Sequence, residues 1–184
     1  MPGPKRSAFM MLDFMNPFGF PGSDKLERRA LRAARNAAAL KRRARARRMP
    51  CIYANDNFGN WTSEFSALTR GLMAKGGAPG EIARLLEPTK EDLSILKPRH
   101  SAFYETPLGF LLDDLGVARL IITGIAADIC VLATAQDAHI RKLALWIPAD
   151  CVATTEAKYE RFALAHMART MQADIRPARQ VAKI

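Results

Sequence analysis

Short unbroken apolar runs alternate along this chain with longer stretches in which apolar positions recur every three or four residues. The short runs cover residues 8–14, 49–54, 93–96, 120–122 and 143–147, with a last one at 173–175. Near-continuous apolarity over so few positions fits strands covered on both faces, as in a parallel sheet. Helical periods lie between them. The longest follows Pro21-Gly22, with Ser23 or Asp24 as the expected N-cap. It carries Leu26, Ala30, Ala33, Ala37, Leu40 and Ala44 as one narrow stripe to about Arg48. Further helices are expected over 63–75, 106–115, from about Cys130 onward, and over 155–171, with Gly76 to Gly80 as a break before a short apolar segment at 82–86. Strands alternating with helices throughout predict an α/β class, a doubly wound, mostly parallel sheet flanked by helices.

At 184 residues the chain fits one domain over 1–184, with residues 1–6 as a loose tail. No apolar run approaches the ~20 residues that span a bilayer. The apolar stretch at 8–12 is too short for a secretory core, so a cytoplasmic protein without a membrane partner is expected. Cys51, Cys130 and Cys151 are few, odd in number and not spaced for zinc, which favours reduced thiols. The net charge of +10 comes from residues 25–48, where eleven Lys or Arg face a single acid, Glu27, while the remainder balances. Two accounts of that helix stand side by side. Its cations line a solvated face, which is preferred, or they form a patch for polyanions. No aromatic or Gly-rich motif interleaves the charges, so no specific nucleic-acid partner is expected.

Three residues stand out chemically. Asp13 closes an otherwise apolar strand, either as a turn residue or as a functional carboxylate at the ligand-binding edge of a parallel sheet. Lys97 follows the third strand and is held extended by Pro98; Arg99 competes with it for any role. Cys130 lies where a strand gives way to a helix, and free N–H groups and the helix dipole there favour thiolate over thiol. A core cysteine is the alternative reading.

The segment Gly124-Ile-Ala-Ala-Asp-Ile-Cys130-Val, continued by Thr134-Ala-Gln-Asp-Ala138, resembles the nucleophile motif of the isochorismatase-like cysteine hydrolases. Ala8 to Phe14 resembles that family's first strand, ending in its catalytic Asp, and Lys97 to Phe103 its Lys motif. The resemblance covers roughly residues 8–176. It implies a Rossmann-like hydrolase fold and a Cys130 nucleophile. Asp13 would move the thiol proton, and Lys97 would stabilise the thiolate and position the carboxylate. The backbone N–H groups of Ala126 and Cys130 would form an oxyanion hole, with a cis peptide at Ile125-Ala126. Ala127 departs from the Thr common in the family, and Phe14-Met15 from Met-Gln.

The implied reaction is cleavage of a small amide, carbamoyl or ureido C–N bond through an acyl-enzyme, without a cofactor. In the nicotinamidase branch the region of residues 56–58 supplies an Asp and His residues to a metal. Here Asp56 is followed by Asn57 and Phe58, so no catalytic metal is expected. Phe18, Asn57, Phe58, Trp61, His100 and Phe103 are candidate pocket walls, with packing the stronger reading for Phe103. Asp56 and Asn57 could equally close a turn. Family members commonly form dimers or larger oligomers, so a homo-oligomer is expected. The rival readings are a non-covalent vinyl ether hydrolase of the isochorismatase type, a non-catalytic polyanion-binding protein using the basic helix, and a structural oligomer subunit with an idle site.

Overall fold

The computed structural model describes residues 6–181 and 184, so the tail expected over 1–6 lies outside it except for Arg6, which opens the first strand. Six strands form one parallel sheet: β1 (Arg6–Leu12), β2 (Cys51–Asp56), β3 (Leu93–Lys97), β4 (Val117–Ile125), β5 (Ala144–Trp146) and β6 (Val152–Ala153). The order is β3-β2-β1-β4-β5, and β6 pairs with the far end of β4. Chain direction along the sheet reverses between β1 and β4. Ligands of open α/β sheets bind at such a switch point, outside the carboxyl ends of the strands.

Alternation along β1 sorts the core into two layers. Phe9 and Met11 pack towards α1 (Ser23–Ala46), α2 (Phe65–Lys75) and α3 (Gly77–Leu85). Ala8, Met10 and Leu12 pack towards α4 (Leu108–Asp114), α5 (Leu132–Ile140) and α6 (Ala157–Met171). Both faces of the strand are therefore apolar, which is why its sequence shows no alternation.

Several sequence expectations are corrected. β1 stops at Leu12, because Asp13 takes a left-handed backbone with φ of 52°. Neither Ser23 nor Asp24 caps α1: Gly22 occupies that position, and the Ser23 hydroxyl donates back to the Phe18 carbonyl at 2.7 Å. The Gly-rich segment expected as a break holds the first turn of α3, where Pro79 needs no N–H partner. Residues 173–175 do not form a strand. Asp174 makes one bridge to Trp146, and its carboxylate then turns to Arg176. Among the described residues, no helix is long and apolar enough to cross a membrane.

The basic helix is less solvated than its sequence suggests. Lys41 points inward, 2.8 Å from Asp92 Oδ2, and donates to the Tyr53 hydroxyl and the Glu87 carbonyl. Arg29 pairs with Glu160, Arg35 with Glu81 and Arg45 with Glu91. These four cations tie α1 to neighbouring elements, while Lys25, Arg28, Arg32 and Arg42 line the expected solvated face. The exposed pairs add little stability individually. The buried Lys41–Asp92 pair fixes geometry, since removing one partner would strand a charge.

Gly124, at the switch point, has φ of 137°, and a Cβ there would lie 2.2 Å from the Leu12 carbonyl oxygen. Only glycine lets β4 approach β1 this closely just before the nucleophile turn. Gly124→Ala should therefore destabilise the fold by about 3 kcal/mol or more, as overpacking and backbone strain combine. Denaturant unfolding measures this, and a change below about 1 kcal/mol would mean that the two strands separate at little cost.

Candidate active site

Three strand ends each supply one chemical group to the switch point. Asp13 directly follows β1, Lys97 is the last residue of β3, and Cys130 lies in the turn after β4. β3 is separated from β1 by β2, so Lys97 starts two strand spacings away, or about 10 Å. Its four-carbon stem crosses the end of β2. Nζ then sits 2.8 Å from Asp13 Oδ2 and 3.6 Å from Cys130 Sγ. It also donates to the Arg99 carbonyl at 3.1 Å, so three directed contacts serve the three ammonium protons. The Lys97 side chain is 0% exposed.

Asp13 is fixed equally firmly. Its Oδ1 accepts the Asp56 backbone N–H at 2.7 Å, and its own N–H donates to the Ala54 carbonyl. Short Asp side chains tolerate the left-handed region better than most. The segment that follows is latched by Asn55, whose carboxamide accepts the Met15 N–H and donates to the Met15 carbonyl. Asp56 and Asn57 close successive turns, accepting the N–H groups of Phe58 at 2.6 Å and Gly59 at 2.9 Å. With no imidazole following Asp56, this loop does not offer the donor set of a nicotinamidase-type metal site.

Cys130 does not begin an ordinary helix. It is the fourth residue of a π-helical turn, Ala127–Val131, that leads into α5. The peptide between Ile125 and Ala126 is cis. Thr154 donates to Asp128 across this turn at 2.5 Å. The electrostatics reverse the expectation of a resting thiolate. Burial first, and then the Asp13 charge, push the Cys130 thiol up to about 12, and Lys97 offsets only part of this. Burial and the carboxylate therefore favour thiol over thiolate. Burial also raises the Asp13 carboxyl above its ordinary value despite Lys97, which makes it a stronger proton acceptor than a free carboxylate. For Lys97 burial acts downward, but Asp13, helped by Cys130 and Asp56, outweighs it and keeps the cation charged.

The remaining candidates are dispersed. Phe18 and Phe103 are buried in the two core layers, the former on the α1 side and the latter beneath Arg141, whose guanidinium lies 4.6 Å from the ring centre. Asn57 is buried and serves its turn. Phe58 and Trp61 are exposed, Trp61 at 80%. His100 is exposed, with Nδ1 4.0 Å from Cys130 Sγ. Residue types alone did not reveal Asn55, the Asp56 N–H, or the Ser101, Thr134 and Asp137 contacts that hold the Lys97 loop. The polar residues of the 134–138 run were the available signal, on the helix face turned towards that loop. A separate cavity of about 400 Å³ between α2 and β3 shares none of the three central residues. Its Tyr53 and Asp92 are already engaged by Lys41.

A carboxylate, an ammonium and a thiol gathered at the switch point of a parallel sheet define an α/β protein equipped for acid–base and nucleophilic chemistry. The Isochorismatase domain profile matches residues 7–180. The isochorismatase family protein YaaI of Bacillus subtilis is 35% identical over 174 residues, covering 95% of each chain. The chain belongs to the isochorismatase family of hydrolases. Ureidoacrylate amidohydrolase RutB of an Enterobacter strain is 44% identical over 66 residues, a match spanning 36% of this chain and 29% of that protein. Among solved structures, the nicotinamidase of Staphylococcus aureus matches with TM-score 0.74 at 20% identity, covering 95% of this chain and 99% of that one. N-carbamoylsarcosine amidase of Thermoplasma acidophilum gives 0.71 at 22%, covering 96% and 99%. These two likenesses are of fold.

The opposed effects of Asp13 and Lys97 on the thiol make a prediction with two signs. Asp13→Asn should lower the Cys130 pKa from about 12, and Lys97→Met should raise it. Thiolate absorbance titration checks both, with Cys51 and Cys151 replaced by serine to isolate the signal. Shifts of the same sign, or a wild-type value near the ~8.5 of free cysteine, would contradict this electrostatic account.

Proposed function

We propose that this protein hydrolyses a small amide, carbamoyl or ureido C–N bond through an acyl-enzyme on Cys130. The observation that carries the reading is the buried Lys97 ammonium, within reach of both a carboxylate and a thiol. Such a cation has little structural justification on its own, because desolvation offsets most of what the ion pair gains. It is well suited to holding a carboxylate in place and balancing charge as a proton leaves sulfur.

In this mechanism Asp13 takes the Cys130 proton as Sγ attacks the substrate carbonyl. The raised carboxyl narrows the gap between acceptor and thiol, so transfer and attack proceed together without a stored thiolate. Lys97 balances the negative charge as it moves from Asp13 towards sulfur. The backbone N–H groups of Ala126 and Cys130 receive the developing oxyanion. Asp13 returns its proton to the leaving nitrogen as the C–N bond breaks. Water then releases the acyl group from sulfur. The named relatives support the substrate class: ureidoacrylate and N-carbamoylsarcosine carry ureido and carbamoyl groups, and nicotinamide is an amide.

A screen of small carbamoyl, ureido and amide compounds, read as ammonia or amine release, tests the proposal. Cys130→Ala and Asp13→Asn should each lower kcat/KM by about 10³-fold or more. Wild-type kcat/KM should fall on acidification as Asp13 becomes protonated. Because burial raises that carboxyl, the acid limb should lie above the ordinary 3.8. Hydrolysis by Cys130→Ala at the wild-type rate would remove the covalent mechanism and favour non-covalent chemistry on the same fold.

A further inference from the structure

The loop after β3 holds the exposed His100 between two sets of anchors. Before it, Lys97 Nζ binds the Arg99 carbonyl at 3.1 Å. After it, the Ser101 hydroxyl donates to Asp137 Oδ2 at 2.5 Å, and the Ala102 N–H donates to Thr134 Oγ1 at 3.0 Å. Thr134 and Asp137 lie on α5, which continues directly from the turn bearing Cys130. Loop and thiol therefore share one support. With its neighbours pinned, His100 is held at 4.0 Å, Nδ1 to Sγ, with little positional freedom in its backbone. Its ring is exposed, whereas Asp13 and Lys97 meet the same sulfur from the buried side.

This arrangement separates two proton-transfer tasks. Asp13 is 4% exposed and already accepts from Lys97 and from the Asp56 N–H. Its two oxygens are thus each held by a donor, whereas His100 is exposed, with a ring nitrogen 4.0 Å from the Cys130 sulfur. A thioester on Cys130 needs a water, together with an acceptor for its proton. An imidazole can accept and return a proton, which neither neighbouring cation, Arg99 nor Lys97, can do while charged.

We propose that His100 is the proton acceptor for the water that hydrolyses the acyl-enzyme, an inference that rests on Cys130 being the acylated residue. As the water oxygen bonds to the acyl carbon, one water proton passes to Nδ1. The C–S bond breaks and its electron pair returns to sulfur. The imidazolium then gives its proton to Sγ. One water is consumed, a carboxylic or carbamic acid leaves, and the thiol is restored. The ring meets Cys130, whose sulfur is also contacted by Lys97, the partner of Asp13. Arg99 precedes His100 in the chain, and Ser101, which follows it, is bound to Asp137.

The test uses para-nitrophenyl acetate as an acylating probe on the full chain, comparing wild type with His100→Gln, His100→Asn and Cys130→Ala. Nitrophenolate release reports acylation, and peptide mass follows the acetyl group on Cys130. Both His100 variants should acetylate Cys130 at close to the wild-type rate but lose the acetyl group about 10²-fold more slowly. They should also lack the one-proton rise of deacylation with pH shown by wild type. Acetyl-enzyme that forms on Cys130 and decays in both variants with the wild-type rate and pH profile would overturn the assignment. If neither wild type nor the slowly deacylating His100 variants ever carry acetyl on Cys130, the nucleophile reading itself fails and the inference falls with it. These two failures are distinguished by a single mass spectrum. Unchanged thermal unfolding midpoints are expected, because an exposed imidazole contributes little to packing.

Discussion

A fully buried ammonium must find negative charge or lose its own, and Lys97 meets that requirement through Asp13 at 2.8 Å. Much of the site follows from this one ion pair. The lysine starts on β3 and its partner follows β1, so its stem must cross the end of β2, and a shorter cation would not reach. Asp13 must leave the strand direction to meet it, which accounts for a left-handed residue directly after Leu12. That turn is held by the Asp56 N–H and by the Asn55 latch on Met15. Gly124 then brings β4 close enough for the Cys130 turn to complete the cluster.

The pair also determines the resting state of the thiol. A helix start beside a cation suggests a stored thiolate, but burial and the neighbouring carboxylate outweigh both effects. In the proposed mechanism a protonated Cys130 faces a carboxylate whose proton affinity burial raises. One negative charge would then pass among carboxylate, sulfur and substrate oxygen, with Lys97 within reach of the first two. This is electrostatic preorganisation, since the compensating cation is fixed before the charge moves.

Much of this architecture was legible in the sequence. Doubly covered strands leave continuous apolar runs, so all five strands of the main sheet path were visible, although β4 extends beyond the run at 120–122, through Thr123 and Gly124, to span Val117–Ile125. Asp13, Lys97 and Cys130 were conspicuous because each ends or follows such a run. Less visible was anything decided by the third dimension. Val152-Ala153 is too short to announce a strand, and it exists because the end of β4 offers an unpaired edge. Lys41 belongs to a strongly basic stretch yet is buried, because Asp92 and Tyr53 wait beneath it. Phe18 is an aromatic near Asp13 in sequence, but packing carries it into the α1 layer. The helix-end effects that favour a Cys130 thiolate are local and readable, whereas the burial that opposes it is not.

The central claim is that Cys130 becomes covalently acylated with Asp13 and Lys97 in support. Its most direct measurement is rapid-quench peptide mass spectrometry during turnover of a carbamoyl or ureido substrate. The account predicts an adduct of the acyl fragment's mass on the Cys130 peptide, present in wild type within one turnover and absent from Cys51 and Cys151. Turnover with Cys130 unmodified at every time point would contradict it, and would assign the chemistry to direct attack by water.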